Sequence, residues 1–157
     1  MFTSIQTLLK VWKFESAQTA KLLGNITDES LSQRVAKGYR SLAELAWHLP
    51  VSLGTIASLA GLKIEAPNHA TTMPLDAAGI KSEYARAAEN LAHSVQENWT
   101  DDTLKEVDDV YGEKWSKGTT MRVLMSHEIH HRGQLTVLMR QAGLPVPGLY
   151  GPSKDER

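Results

Sequence analysis

Apolar positions recur at helical spacing in four long stretches of the chain. Over residues 3–23, Ile5, Leu8, Leu9, Trp12, Leu22 and Leu23 predict a first helix ending near Gly24. A short helical turn is expected after Thr27, whose hydroxyl can cap the Asp-Glu-Ser segment that follows. Ser41 with Glu44 three residues on has the form of a capping box, ahead of Leu42, Leu45, Leu49, Leu53 and Ile56. Pro50 lies inside that second pattern, where its ring removes an amide donor and predicts a kink. From Gly61 to Leu75 the periodicity stops, and Pro67, Asn68 and Pro74 mark a loop that is long for a compact bundle. A third helix is predicted from about Asp76 to Trp99, with Ile80, Tyr84, Ala87, Leu91 and Val95 on one side. Residues 100–118 read as a short turn capped by Thr100, then a loop or brief extended piece from Val107 to Trp115. The fourth helix is expected from near Thr119 to Ala142, with Gly143 as its left-handed cap and Pro145 beyond. The tail from Val146, rich in Pro and Gly, predicts irregular structure.

These elements predict an all-α fold: a four-helix bundle, up-and-down or cross-connected, with a long connection between helices two and three. The 157 residues, 41% of them hydrophobic, suffice for one domain spanning 1–157 with its own core.

The last helical pattern contains His127-Glu128-Ile129-His130-His131. With His127 at zero and about 100° per residue, His131 falls at roughly 40°, Leu138 at 20°, Leu124 at 60° and Leu135 at 80°. Both imidazoles therefore lie in the apolar stripe, one turn apart, where packing alone gives no reason to choose them. That spacing, about 6 Å along the axis, lets two histidines share one metal ion. His130 sits at the edge of the stripe, and His127 with His130 is the alternative pair. Glu128 lies on the flank at about 100°, as a residue behind the ligands or on the surface. Read from His127, the string also matches His-Glu-x-x-His, in which the glutamate serves as general base. Gln134, at about −20°, can line an inner cavity and orient a bound group, or make an interhelical hydrogen bond. The third ligand must come from another helix, and His48, just before Pro50, is the strongest candidate. His93 reads as solvated, and His69 lies in the long loop, either exposed or at a pocket mouth. Trp47 and Tyr84 are candidates for a pocket wall or for core.

Charge and composition narrow the chemistry. Eighteen acidic and 17 basic residues nearly balance, giving no clustered basic excess for nucleic acid. The chain has no cysteine, so disulfides, thiolate ligands and a protein sulfur nucleophile are excluded and any metal is held by nitrogen or oxygen. No stretch approaches the roughly eighteen apolar residues of a membrane span, and no signal-peptide pattern precedes the first helix. A cytoplasmic protein with neither membrane nor nucleic-acid partner is the expectation. Three imidazoles would suit one divalent transition metal, zinc or nickel first and iron next, with a position left for water or substrate. Met121, Met125, Ile129 and Met139 lie on the far side of the fourth helix, with Gly133 in its interior. A second apolar face and a glycine suited to close approach predict a symmetric homodimer.

Leu45-Ala46-Trp47-His48-Leu49, the later Ser126-His127-Glu128-Ile129-His130-His131-Arg132-Gly133-Gln134-Leu135, and Gly-Leu-Pro-Val-Pro with Tyr150-Gly151-Pro152-Ser153 together resemble the DinB-like superfamily of metal-binding four-helix bundles. The resemblance covers essentially the whole chain. It implies a frequently dimeric bundle whose metal histidines correspond to His48, His127 and His131. It also implies activation of a low-molecular-weight thiol, such as mycothiol or bacillithiol, for transfer to a small electrophile. A metal-dependent hydrolase and a non-catalytic metal-binding protein are the alternatives. Glu128 and Gln134 are the candidate catalytic residues. Many relatives carry an acidic residue shortly after the first histidine, whereas here Pro50-Val51-Ser52-Leu53-Gly54 follows His48, which moves that role to Glu44, Glu128 or the substrate.

Overall fold

The computed structural model describes residues 1–156. Four helices, α1 (Ile5–Leu23), α2 (Leu42–Leu59), α3 (Ala77–Asn98) and α4 (Lys117–Gln141), form a bundle as expected. A small antiparallel hairpin, β1 (Val107–Val110) and β2 (Glu113–Ser116), precedes α4, pairing Val107 with Ser116 through Val110 with Glu113. The brief extended piece foreseen there is thus a true strand pair. Its two-residue turn puts Tyr111 at φ 57° and Gly112 at φ 85°. Tyrosine is an unusual occupant of that left-handed region, and so the turn lacks the Asn-Gly signature of such hairpins. No helix among the described residues is long and apolar enough to cross a membrane.

The helix ends follow from their caps. Ser4, Ser41, Asp76 and Ser116 each accept a backbone N–H at the start of a helix. At Ser41 the box is reciprocal, with Glu44 Oε2 accepting from the Ser41 amide at 2.6 Å. Such caps contribute about 1 kcal/mol each. Ser116, rather than a residue nearer Thr119, caps α4 and starts it slightly early. Gly143, at φ 72°, ends that helix as predicted. Pro50 lies within α2, which continues to Leu59.

The bundle is cross-connected. α1 packs on α3 and α4, and α2 packs on those same two helices. Helices α1 and α2 therefore sit diagonally, and the segments 24–41 and 99–116 cross the bundle ends. Leu8, Trp12, Leu22, Leu49, Leu53, Ile80, Leu91, Leu124 and Leu135 are buried in one core, each contributing about 1.5–3 kcal/mol of burial. Met121, Met125 and Met139 join that core. The methionine face assigned to a partner is therefore covered by this chain itself. α4 packs against α1 and α2 and, near its start, against the hairpin and the turn at Thr103–Lys105, so it needs apolar residues on more than one side.

The same crowding buries charge. Arg132 is 1% exposed. Its guanidinium donates to Glu15 Oε2 at 2.5 Å, to the Glu15 carbonyl at 2.8 Å, to Thr19 Oγ1 at 3.2 Å and to the Tyr150 hydroxyl. Tyr150 in turn donates to Glu15 at 2.7 Å and ties the C-terminal segment to α1. Glu128, expected on the flank, is 2% exposed. Its Oε1 accepts from Thr19 at 2.6 Å and from the Tyr84 hydroxyl, while Oε2 is buried with no partner. Burial is the dominant influence on this carboxyl and raises it to about 7, against the opposing hydrogen bonds and the Arg132 charge.

A carboxyl raised in the folded state contributes stability that is complete below about pH 4.5 and lost as pH rises through about 7. Glu128→Gln keeps an acceptor for Thr19 and Tyr84 without that ionisation. In urea denaturation of metal-free protein, its stability relative to wild type is expected to rise by on the order of 3 kcal/mol between the two ends of that window. A pH-independent difference would show that Glu128 is not held neutral by burial.

Candidate metal centre

The adjacency of α2 and α4 brings together histidines that are far apart in sequence. His48 faces the seam from α2, and His127 and His131 face it from successive turns of α4. Each of the three offers a ring nitrogen within 4.8 Å of the others. Ring centroids lie 5.2 Å apart for His48 and His127, 4.6 Å for His48 and His131, and 4.4 Å for His127 and His131. The Nε2 atoms of His127 and His131 are 3.1 Å apart. Two nitrogens each about 2.0–2.1 Å from one tetrahedral ion would stand at about that separation. The alternative pairing of His127 with His130 is not the one assembled. His130 is exposed and lies outside the cluster, although its ring is 4.9 Å from that of His131.

The cluster is prepared to donate lone pairs. Burial, then the charges of Arg40, His131 and His127, holds His48 down at about 4. Burial followed by the His131 and His130 charges does the same for His127, also about 4. His131 is lowered too, by burial, against the opposing hydrogen bond it makes to Gln134. All three are therefore neutral at pH 7, with no proton for an incoming ion to displace. His131 Nδ1 donates to Gln134 Oε1 at 2.7 Å, which leaves Nε2 unprotonated and directed at the other two rings. The Gln134 amide donates onward to His130 Nε2 at 3.1 Å. Gln134 thus acts along its own helix and orients a histidine; the interhelical bond is not formed.

Three neutral imidazoles with no sulfur and no carboxylate fit a borderline divalent ion and leave coordination open. The surroundings of the triad are open too. On one side His48 and His127 line a hollow of about 230 Å³ with Ser52, Thr55, Tyr111 and Trp115. On the other, His131 and Gln134 line a hollow of about 630 Å³ with Tyr39, Arg40 and Val137. His69 joins the first hollow, as a residue at a pocket mouth would. His93 is exposed and apart.

Other expectations are corrected. The Glu128 carboxylate lines neither hollow and is engaged by α1 and α3, so the zincin-like base is not delivered to the triad. Glu44 is held by Ser41 and by Arg34 at 2.7 Å. Tyr84 and Trp47 wall neither hollow. The aromatic wall comes instead from Tyr111 and Trp115 of the hairpin, and Arg40 stands at the other side. Sequence reading passed over all three. Trp115 closing a short alternating segment was the available signal for the hairpin, and nothing in the pattern marked Arg40.

A family model described as DinB family matches residues 1–157. The Bacillus subtilis protein YrdA, described as uncharacterized, is 41% identical over 156 residues, spanning 99% of this chain and 93% of that protein. A crystal structure of a DinB-like protein from Bacillus cereus superposes with TM-score 0.91 at 39% identity, covering 96% of this chain and 100% of that one. A second DinB-like protein, YjoA of Bacillus subtilis, shares the fold with TM-score 0.69 at 21% identity, over 87% of this chain and 92% of that one.

Elemental analysis of protein purified without a histidine tag is expected to find about one transition metal per chain, on the ligand count of a three-histidine site. Alanine at His48, or at His127 and His131 together, should abolish occupancy, while His93→Ala leaves it unchanged. Gln134→Ala should weaken metal affinity by about 10–100-fold through loss of ring orientation. Full occupancy in the His127/His131 double variant would overturn the assignment.

Proposed function

The chain belongs to the DinB family, and from its site we propose a metal-dependent enzyme that activates a low-molecular-weight thiol for transfer to a small electrophile. His48, His127 and His131 hold the ion, zinc or nickel first and iron next. The ion supplies Lewis acidity that favours the anionic form of a thiol bound beside it. The sulfur forms a bond to an electrophilic carbon, the thiol proton passes to solvent, and the leaving group departs with its electron pair. The observation that carries this reading is a triad of neutral imidazoles standing between two hollows, in a chain with no sulfur nucleophile of its own.

The protein's own residues contribute position and exclusion of water. Gln134 fixes the His131 ring. Tyr111 and Trp115 cover one hollow with aromatic surface, and Ser52 and Thr55 line it with hydroxyls. Hydrolysis is the second reading, with water in place of the thiol. It is disfavoured because neither hollow is lined by a carboxylate to serve as general base. A purely structural ion is disfavoured by the open hollows on both sides.

The test is a screen of bacillithiol, mycothiol, glutathione and coenzyme A against common electrophiles, with ester and amide hydrolysis run in parallel. Thiol transfer should disappear on chelation and return when metal is restored. Activity indifferent to metal would reject the mechanism, and hydrolysis without thiol transfer would favour the second reading.

We also propose that two copies associate through the outer face of α4. With the methionines accounted for, the apolar residues left exposed there are Ile129 at 39% and Val137 at 49%, flanking an open Gly133. Light scattering at micromolar concentration is expected to give a dimer mass, shifted toward monomer by Ile129→Glu, a residue that lines neither hollow; a monomer in the wild type would refute the association.

A further inference from the structure

The charge around the triad is one-sided. Three neutral imidazoles do not offset the charge of a divalent ion, and neither flanking hollow is lined by an aspartate or glutamate. One of them carries a further cation instead. Arg40 shares the 630 Å³ hollow with His131 and Gln134. Among the described residues it has no ion-pair or side-chain hydrogen-bond partner, while its neighbour Arg34 is paired with Glu44 at 2.7 Å. The rest of the hollow is apolar or uncharged, with Val35, Tyr39, Leu45, Val137 and Leu138.

Arg40 is also held in place by its loop. Arg34 and Ser41 form an isolated antiparallel bridge that closes the segment between them. Inside it Gly38 turns the chain at φ 88°, a conformation suited to glycine, and the Arg34 guanidinium donates to the Tyr39 carbonyl. Ser41 then caps α2. The loop that presents Arg40 is thereby fastened to the helix that presents His48.

We propose that Arg40 is a specificity-determining residue that binds an anionic group, a carboxylate in the first instance, of the small thiol whose sulfur is activated at the triad. A guanidinium presents paired donors to a carboxylate, which a lone ammonium cannot match. The substrate class is therefore a carboxylate-bearing thiol with a compact apolar body. The hollow beside Tyr111 and Trp115 has no charged acid or guanidinium in its lining and suits the uncharged electrophile. This inference rests on the thiol-activation reading above.

The test compares two ligands of nearly equal size, 3-mercaptopropionate and 3-mercaptopropionamide, on cobalt-substituted protein, read by the thiolate-to-cobalt absorption band. Wild type should bind the carboxylate more tightly, and Arg40→Gln should reduce that preference by about fivefold, the scale of one partly exposed ion pair. Its affinity for the amide should change far less, and its cobalt uptake should be retained or rise, because the Arg40 charge that opposes a cation at the histidines is gone. Arg40→Lys should retain part of the preference, and raised salt should erode it in the wild type. The same pair is compared on metal-free protein by ligand-observed NMR. A carboxylate preference lost in Arg40→Gln supports the assignment there even where cobalt fails to bind, a failure that would instead count against the metal reading. Equal binding of the two ligands to wild type in both forms, or a preference untouched by Arg40→Gln, would overturn it.

Discussion

The buried contact between Arg132 and Glu15 fixes how α4 is rotated in the bundle, and the histidine cluster depends on that rotation. Arg132 and Glu128 each follow a site histidine by one residue, a step of about 100° around the helix. Arg132 is clamped to Glu15 and Thr19, and Glu128 to Thr19 and Tyr84, so α1 and α3 hold one side of α4. His127 and His131 are consequently turned to the remaining neighbour, α2, where His48 waits. Such a clamp is costly to disturb, since removing one member of a buried ion pair leaves the other charge unsolvated and costs about 3–5 kcal/mol. The burden on α4 is therefore divided by face. One side carries an ion pair satisfied internally and a carboxyl that burial pushes toward its neutral form, and the other carries neutral rings that remain available.

This division explains which features could be read from the chain. The helices were legible because their caps and apolar periods are local: Ser41 with Glu44, Asp76, and Gly143 with Pro145 act within a few residues of themselves. The histidine triad was legible for a different reason. Two rings in an apolar stripe violate the ordinary logic of a core, the position of His48 before Pro50 offered the third, and the resemblance matched the same three. The burial of Glu15, Glu128 and Arg132 was not legible, because an acid or base in the interior has the same letter as a solvated one. Glu15 and Arg132 are 117 positions apart, beyond any periodicity. The methionines of α4 misled in the opposite sense. An apolar second face was taken to need another copy, although a helix packed against several elements of its own chain satisfies it.

The same long-range logic governs the two hollows. Tyr111 and Trp115 belong to a hairpin of four-residue strands, too short for a pattern to declare and turned by a tyrosine in the left-handed region. Backbone strain of that kind is retained where surrounding structure over-determines it, and here it sets an aromatic ring beside His48 and His127. On the other side, Arg40 is carried by a loop whose closure depends on a bridge from Arg34 to Ser41.

What distinguishes this site chemically is the absence of any carboxylate from its walls. The segment after His48 offers proline, valine and serine, and both nearby glutamates are engaged elsewhere, Glu44 by a helix cap and Glu128 by the interior of the bundle. A hydrolytic site is helped by a group that takes a proton from water, whose bulk pKa lies far above neutrality and comes down to about 7 only on a metal such as zinc. A thiol starts only about one to two pH units above neutral and needs far less help to ionise. On the proposed reading, a pocket that carries Arg40 and no carboxylate suits the second task better than the first. The missing acid and the extra arginine would then serve one proposed role: positive charge that attracts an anion, holds it beside neutral ligands, and leaves the proton to solvent.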